Sequence, residues 1–175
     1  MTDRNFEYNP ATKKYVLWYL YSKPNTTLGN VMVGLADTPA GPFVTANDNV
    51  TLKYKSFTSA NIFVDRPSVP NSDATAEGAE PPTAYVIYSS FRQPGSINPS
   101  HASFPGTAVV ERLNADWTNT VAPAVSSQQF GAGEGGVMFR WDSDDGKRTS
   151  YYVLEGMGCC FCPTGSDLCE MRFLS

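Results

Sequence analysis

The chain has 175 residues, 41% of them apolar and 13% aromatic, and a formal net charge of −4. That composition supports one ordinary hydrophobic core and excludes wholesale disorder. With 13 Lys and Arg against 17 Asp and Glu and no basic run, it lacks the footprint of a nucleic-acid binder or of a protein held on an anionic membrane; no apolar run approaches the ~20 residues that span a bilayer.

From the N-terminus, MTDRNFEYNPATKKYV has mixed charges and no apolar signal-peptide core. The expectation is a cytoplasmic protein if Met1 is the true start and a secreted one if the chain continues upstream. No strand is expected ahead of the turn NPATKK (9 to 14). YVLWY at Tyr15 reads as a strand, as does VMVGLA from Val31 to Ala36, punctuated by Thr38-Pro39 and Gly41-Pro42. TLKYKSF, Thr51 to Phe57, alternates like a half-buried strand, and Asn61 to Val64 is a short apolar one. The stretch 66–82, RPSVPNSDATAEGAEPP, is too rich in Pro and Ala among polar residues to be a strand. It reads as an exposed insertion within a hairpin. YVIYS follows at Tyr85, then a long loop from Phe91 to Pro105 that carries the one histidine, His101. Ala108 to Leu113 and Val137 to Trp141 are further strands; Asp145-Gly146 then turns the chain into YVLEG at Tyr152, since Gly tolerates positive φ. No amphipathic helix stands out.

YVLWY, YVIYS and YVLEG recur at intervals of 70 and 67 residues. A period near 70 with roughly four strands fits one propeller blade per repeat; a β-sandwich serves the same strands. A propeller closes with at least about four blades. Residues 1–175 are therefore expected to form an incomplete, all-β propeller domain of about two and a half blades. Its exposed blade faces would meet missing blades or a second copy.

Cys159, Cys160, Cys162 and Cys169 cluster near the end. CC-x-C-x6-C is a poor match to spaced zinc ligands, so disulfides or free thiols are expected, with no metal and no other cofactor. Asn25-Thr26-Thr27 and Asn49-Val50-Thr51 match a glycosylation pattern too short to weigh.

YNPATKKYVLWY, VMVGLADTPAGPF (31 to 43), NIFVD (61 to 65), YVIYSS (85 to 90) and VVERLNADWTN (109 to 119) follow one another. In that order they resemble part of the five-bladed propeller of glycoside hydrolase family 43, above all its galactan-cleaving branch. The resemblance implies an axial site with three acidic roles and inversion, which needs acid and base about 6.5–9.5 Å apart. It makes Glu134, in EGGVMF, the candidate general acid. The acid-modulating aspartate falls at Ser59, which supplies no charge to raise the acid's pKa. The general base belongs ahead of YNP; Asp3 is assigned no role, and this chain is expected to lack the base. Cys159 and Cys160 resemble the loop that closes the sugar pocket. Ser59, Cys159 and Cys160 are thus candidate substrate-binding residues, joined by Trp141 for its aromatic face, and the implied partner is a galactan-like polysaccharide or an oligosaccharide.

Trp18, Tyr19, Tyr21, Trp117 and Trp141 could stack on sugars or pack between blades. Asp142 could pair with Glu134 if both reached one pocket. Two functions remain: a piece of a glycosidase, or a non-catalytic carbohydrate-binding or interaction module.

Overall fold

In a computed structural model, residues 4–21, 30–53, 57–66, 81–90, 107–121 and 134–156 are described. They form nine strands in three antiparallel sheets and, among the described residues, no helix.

The first sheet is the meander β1 (Arg4–Asn9), β2 (Lys14–Tyr21), β3 (Asn30–Ala36) and β4 (Val44–Asn47). The second is β5 (Phe57–Asp65), β6 (Thr83–Ser90) and β7 (Thr107–Arg112), and the third is the hairpin β8 (Glu134–Asp142) and β9 (Thr149–Gly156). Each sheet packs against the one before it: β5 meets β1 and β2, and β8 meets β5 and β6. This is a partial β-propeller, not a sandwich.

The recurring run occupies the second strand of every sheet: β2, β6 and β9. Three expectations are corrected. Residues Arg4–Asn9 form a strand where none is expected, because RNFEYN pairs residue for residue with β2. Val44–Asn47 is an unexpected short edge strand. The strand expected at Asn61 to Val64 is present within Phe57–Asp65, whereas Thr51 to Lys53 of the strand expected at Thr51 to Phe57 are not in a strand, and Leu52 there is buried in the core.

Turn chemistry sets the connections. The buried Asn9 side chain accepts from the backbone N–H of Ala11 (2.9 Å) and Thr12 (3.3 Å) in the first hairpin. After β3, Thr38 Oγ1 donates to the carbonyl of Gly41, a residue at φ 83°. Gly146, at φ 66°, closes the last hairpin through an N–H bond to Ser143 O of 2.7 Å. Asp65 pairs with Thr83, so the stretch 66–82 joins two paired strand ends.

Two cores lie between the sheets. Val16, Trp18, Val31 and Val33 meet Ile62, Val64, Ala84, Val86 and Tyr88 between the first and second. Ile87 and Val110 meet Met138 and Val153 between the second and third, with Phe63, Tyr85 and Tyr151 at the margin. The turn after β7 locks the first core. Trp117 inserts there at φ 61°, its carbonyl accepting from Trp18 Nε1 at 2.8 Å. The same turn takes hydrogen bonds from Asn9 Nδ2 at Ala115 O and from Asn47 Nδ2 at Thr118 O. Trp18 and Trp117 are thus packing residues. In a second interior contact, Tyr88 OH donates to the buried carboxylate of Glu111, which also accepts from the N–H of Lys53 in the linker.

Candidate functional site

Period-2 alternation turns Asn61, Phe63 and Asp65 of β5 toward β8, while Ala60, Ile62 and Val64 face the first sheet. Asn61 Nδ2 donates to Gly136 O at 2.7 Å, and four residues on, Arg140 donates to Asp65 at 3.1 Å. Both pairs are 75 residues apart in sequence, so β5 and β8 advance in the same direction and in step. Two residues back along each strand, that step brings Ser59 level with Glu134.

Both positions sit at irregularities in their ladders. Between the pairs Thr58–Ser89 and Ala60–Tyr88, β5 has one extra residue, Ser59. Between Glu134–Gly156 and Val137–Leu154, β8 likewise carries one extra residue, in Gly135-Gly136. Bulges turn side chains out of the regular alternation and are common beside active sites. Two neighbouring strands thus carry an irregularity at about the same level, at one end of β5 and β8, and this end is the candidate mouth.

Two connections begin at that end of the strands. Gly156 pairs with Glu134, so the chain leaves β9 there on its way to Cys159 and Cys160. Ser90 pairs with Phe57, so the loop carrying His101 also departs from this end. Cys159, Cys160 and His101 themselves lie outside the described residues.

Trp141 is placed elsewhere. It is 59% exposed and stands seven strand steps from Glu134, about 23 Å along β8. It shares no monosaccharide subsite with that residue. Asp142 is one step further, which removes the expected acid pair: β8 is extended from Glu134 to Asp142, and its two ends cannot meet.

The far end of the same strands holds a polar clasp between the second and third sheets. The Arg140 guanidinium lies between Asp65 (3.1 Å) and Asp142 (2.9 Å). Thr149 Oγ1 donates to Asp142 at 2.7 Å, and Tyr151 OH donates to Asp65 at 2.5 Å. Burial first, then the hydrogen bond to Asp65 and its charge, push the Tyr151 hydroxyl well above the ordinary tyrosine range. Burial, with the charge of Asp65 second, also raises Tyr85. Arg140 is held more firmly protonated, chiefly by its bond to Asp142. Every charge in this cluster is paired, which suits a fastener better than a reaction centre.

Asn61, Asp65, Arg140 and Tyr151 were not expected to act together. Their register rests on contacts between strands 75 residues apart, for which the sequence carries no local signal. Among the described residues, no group of three or more His, Cys, Asp or Glu could hold a metal ion, and no helix is long and apolar enough to cross a membrane.

No family model matches the chain, and no curated protein does. Solved structures do. The exo-β-1,3-galactanase of Phanerochaete chrysosporium, crystallised with galactose, superposes with a TM-score of 0.55 at 21% identity, over 89% of this chain and 29% of its own. A Glu-to-Gln variant of that enzyme, crystallised with β-1,3-galactotriose, gives 0.53 at 20% identity over 90% and 29%. This chain therefore spans under a third of the galactanase it resembles. The likeness is one of fold: an all-β, family 43-like partial propeller.

Proposed function

We propose that the chain is the sugar-binding segment of a glycoside hydrolase of the family 43 kind, with the mouth at Ser59 and Glu134 as its galactoside site. The observation that carries this reading is the level placement of those two residues at paired bulges. The galactanase likeness over 89% of the chain supports it. In this reading Glu134 is the general acid of the whole enzyme. Ser59, where an aspartate would raise that acid's pKa, supplies no charge to keep it protonated, so less of it is in the donor form near neutral pH. The residues level with this mouth on β1 precede Arg4, so the described residues contain no general base. In this reading the segment binds galactosides, and hydrolysis is a property of the whole enzyme.

Titration calorimetry with β-1,3-galactotriose tests the site. Glu134→Arg, which places a long cation at the mouth, is expected to abolish binding, and Trp141→Lys at the opposite end to leave it unchanged. The reverse pattern would move the site to the Trp141 end, and no binding by the unsubstituted chain would remove the galactoside reading.

The third sheet's outer face is the proposed seat of further blades or of a second copy. Val137 is 54% and Trp141 59% exposed, beside the stacked pair Phe139–Tyr152 at 5.1 Å. That pair occupies the same cross-strand position as Phe63–Tyr85, which Tyr151 of the next sheet covers edge-on. Sedimentation velocity of the 175-residue chain is expected to show concentration-dependent association that Trp141→Lys suppresses. Identical profiles for the two chains would count against this face.

A further inference from the structure

We infer that Asn61 is a positioning residue for Glu134, acting through the carbonyl of Gly136. The inference rests on the galactoside reading of the mouth. It starts from a weakness in β8. Gly135 and Gly136 have the widest backbone freedom of any residue type, and they fall where the ladder to β9 skips a step. A strand with two consecutive glycines at a bulge has a hinge there, and Glu134 lies on its far side. Pairing to β9 alone therefore leaves the acid on a loose end.

The neighbouring sheet supplies the missing constraint. Asn61 projects from β5, two residues past the Ser59 bulge, and its Nδ2 reaches Gly136 O at 2.7 Å. Gly136 is buried, so its carbonyl has little access to water, and losing a partner there is costly. A donor is required, because the acceptor is a carbonyl. Asn provides one on a short side chain with few rotamers, whereas Asp in the same space, when ionised, would set a charge against the carbonyl oxygen. The contact ties the backbone on the hinge's near side to the strand that carries Ser59, so the two positions of the mouth are held from one side chain.

Two variants separate positioning from packing, with β-1,3-galactotriose affinity read by calorimetry from pH 3 to pH 7 and each value taken relative to the unsubstituted chain at the same pH. Asn61→Ala is expected to weaken binding about tenfold at every pH. Asn61→Asp is expected to weaken it at least as much at pH 7 but to recover to within about threefold below about pH 4, where the protonated carboxyl can again donate. Faster amide hydrogen exchange at Gly135 to Val137 in Asn61→Ala, with the rest of β8 unchanged, is the matching structural readout and also checks that the variant folds. If Asn61→Asp binds like the unsubstituted chain at every pH while Asn61→Ala is weakened, the residue only fills space; if Asn61→Asp follows Asn61→Ala at all pH values, restoring a donor restores nothing; either result overturns the inference. If Glu134→Arg abolishes binding while both Asn61 variants bind normally, Asn61 has no positioning role although the mouth reading stands. If the unsubstituted chain binds no galactotriose, the mouth reading itself fails, and this inference with it.

Discussion

Replacing Trp117 by alanine is expected to destabilise the fold by about 3–5 kcal/mol, the range for emptying a large aromatic site in a core. The side chain is 2% exposed and fills the space between the first two sheets under Trp18. It holds that place despite φ 61°, a conformation L-residues adopt at a cost of about 1–2 kcal/mol. The surrounding turn sustains the strain: Trp117 N–H donates to Asn114 O, and Asn114 Oδ1 accepts from the N–H of Thr118 and Asn119. Trp117→Gly separates the two contributions. It leaves the same void but relieves the backbone, so it should be roughly 1 kcal/mol less damaging than alanine. Urea unfolding of the three proteins measures this. A loss below about 1 kcal/mol for Trp117→Ala would mean that the turn does not hold the first sheet to the second.

The second large effect is at the clasp. Arg140→Ala leaves the Asp65 and Asp142 carboxylates without their shared cation. Removing one partner of a fully buried pair costs about 3–5 kcal/mol. Arg140 retains 22% side-chain exposure and Asp142 30%, so water screens part of that, and about 2 kcal/mol is expected. The clasp also fixes how stability varies in alkali. The Tyr151 hydroxyl is raised in the folded chain, so its contribution is fully present below the unfolded value near 10. As pH climbs past about 10, the unfolded chain releases the proton first and stability falls. Tyr85, raised by burial and by Asp65, adds to the same slope. Tyr151→Phe should therefore be less stable at pH 7, through the lost bond to Asp65, yet fall less steeply between pH 9 and 11. Equal alkaline slopes in denaturant midpoints would show that Asp65 does not govern this hydroxyl.

The elements that could be read from the sequence are those whose residues state their own burial. YVLWY, YVIYS and YVLEG are dense enough in β-branched and aromatic side chains to mark β2, β6 and β9 without tertiary help. β1 and β4 are not: RNFEYN and VTAN are half polar and become strands by pairing with β2 and β3. The repeat also concealed a change of face. Val86 and Val153, second in their runs, point to the preceding sheet, whereas Val16 points to the following one. A one-residue difference in phase reverses every side chain of a strand, and composition is blind to it. For the site, Glu134 and Ser59 could be named from a family resemblance, but their level placement depends on contacts 75 residues apart. Trp141 qualifies for a sugar site by its aromatic face and Asp142 by its charge, but an extended strand sets both far from Glu134. Asn61 gave no signal of its own, since a lone asparagine in an apolar run reads as a tolerated polar residue.

The stretch 66–82 joins Asp65 to Thr83 at the clasp end of the strands, while the loops beside Glu134 leave from the other end. The molecule thus has a handling end, opposite the proposed site. Foreign sequence such as an epitope, a fluorophore tag or a surface tether can be spliced into the long connection at the handling end. Its attachment points are already closed by a paired rung, so cargo there pulls on the fastened side of the sheets and leaves the end at Glu134 unencumbered.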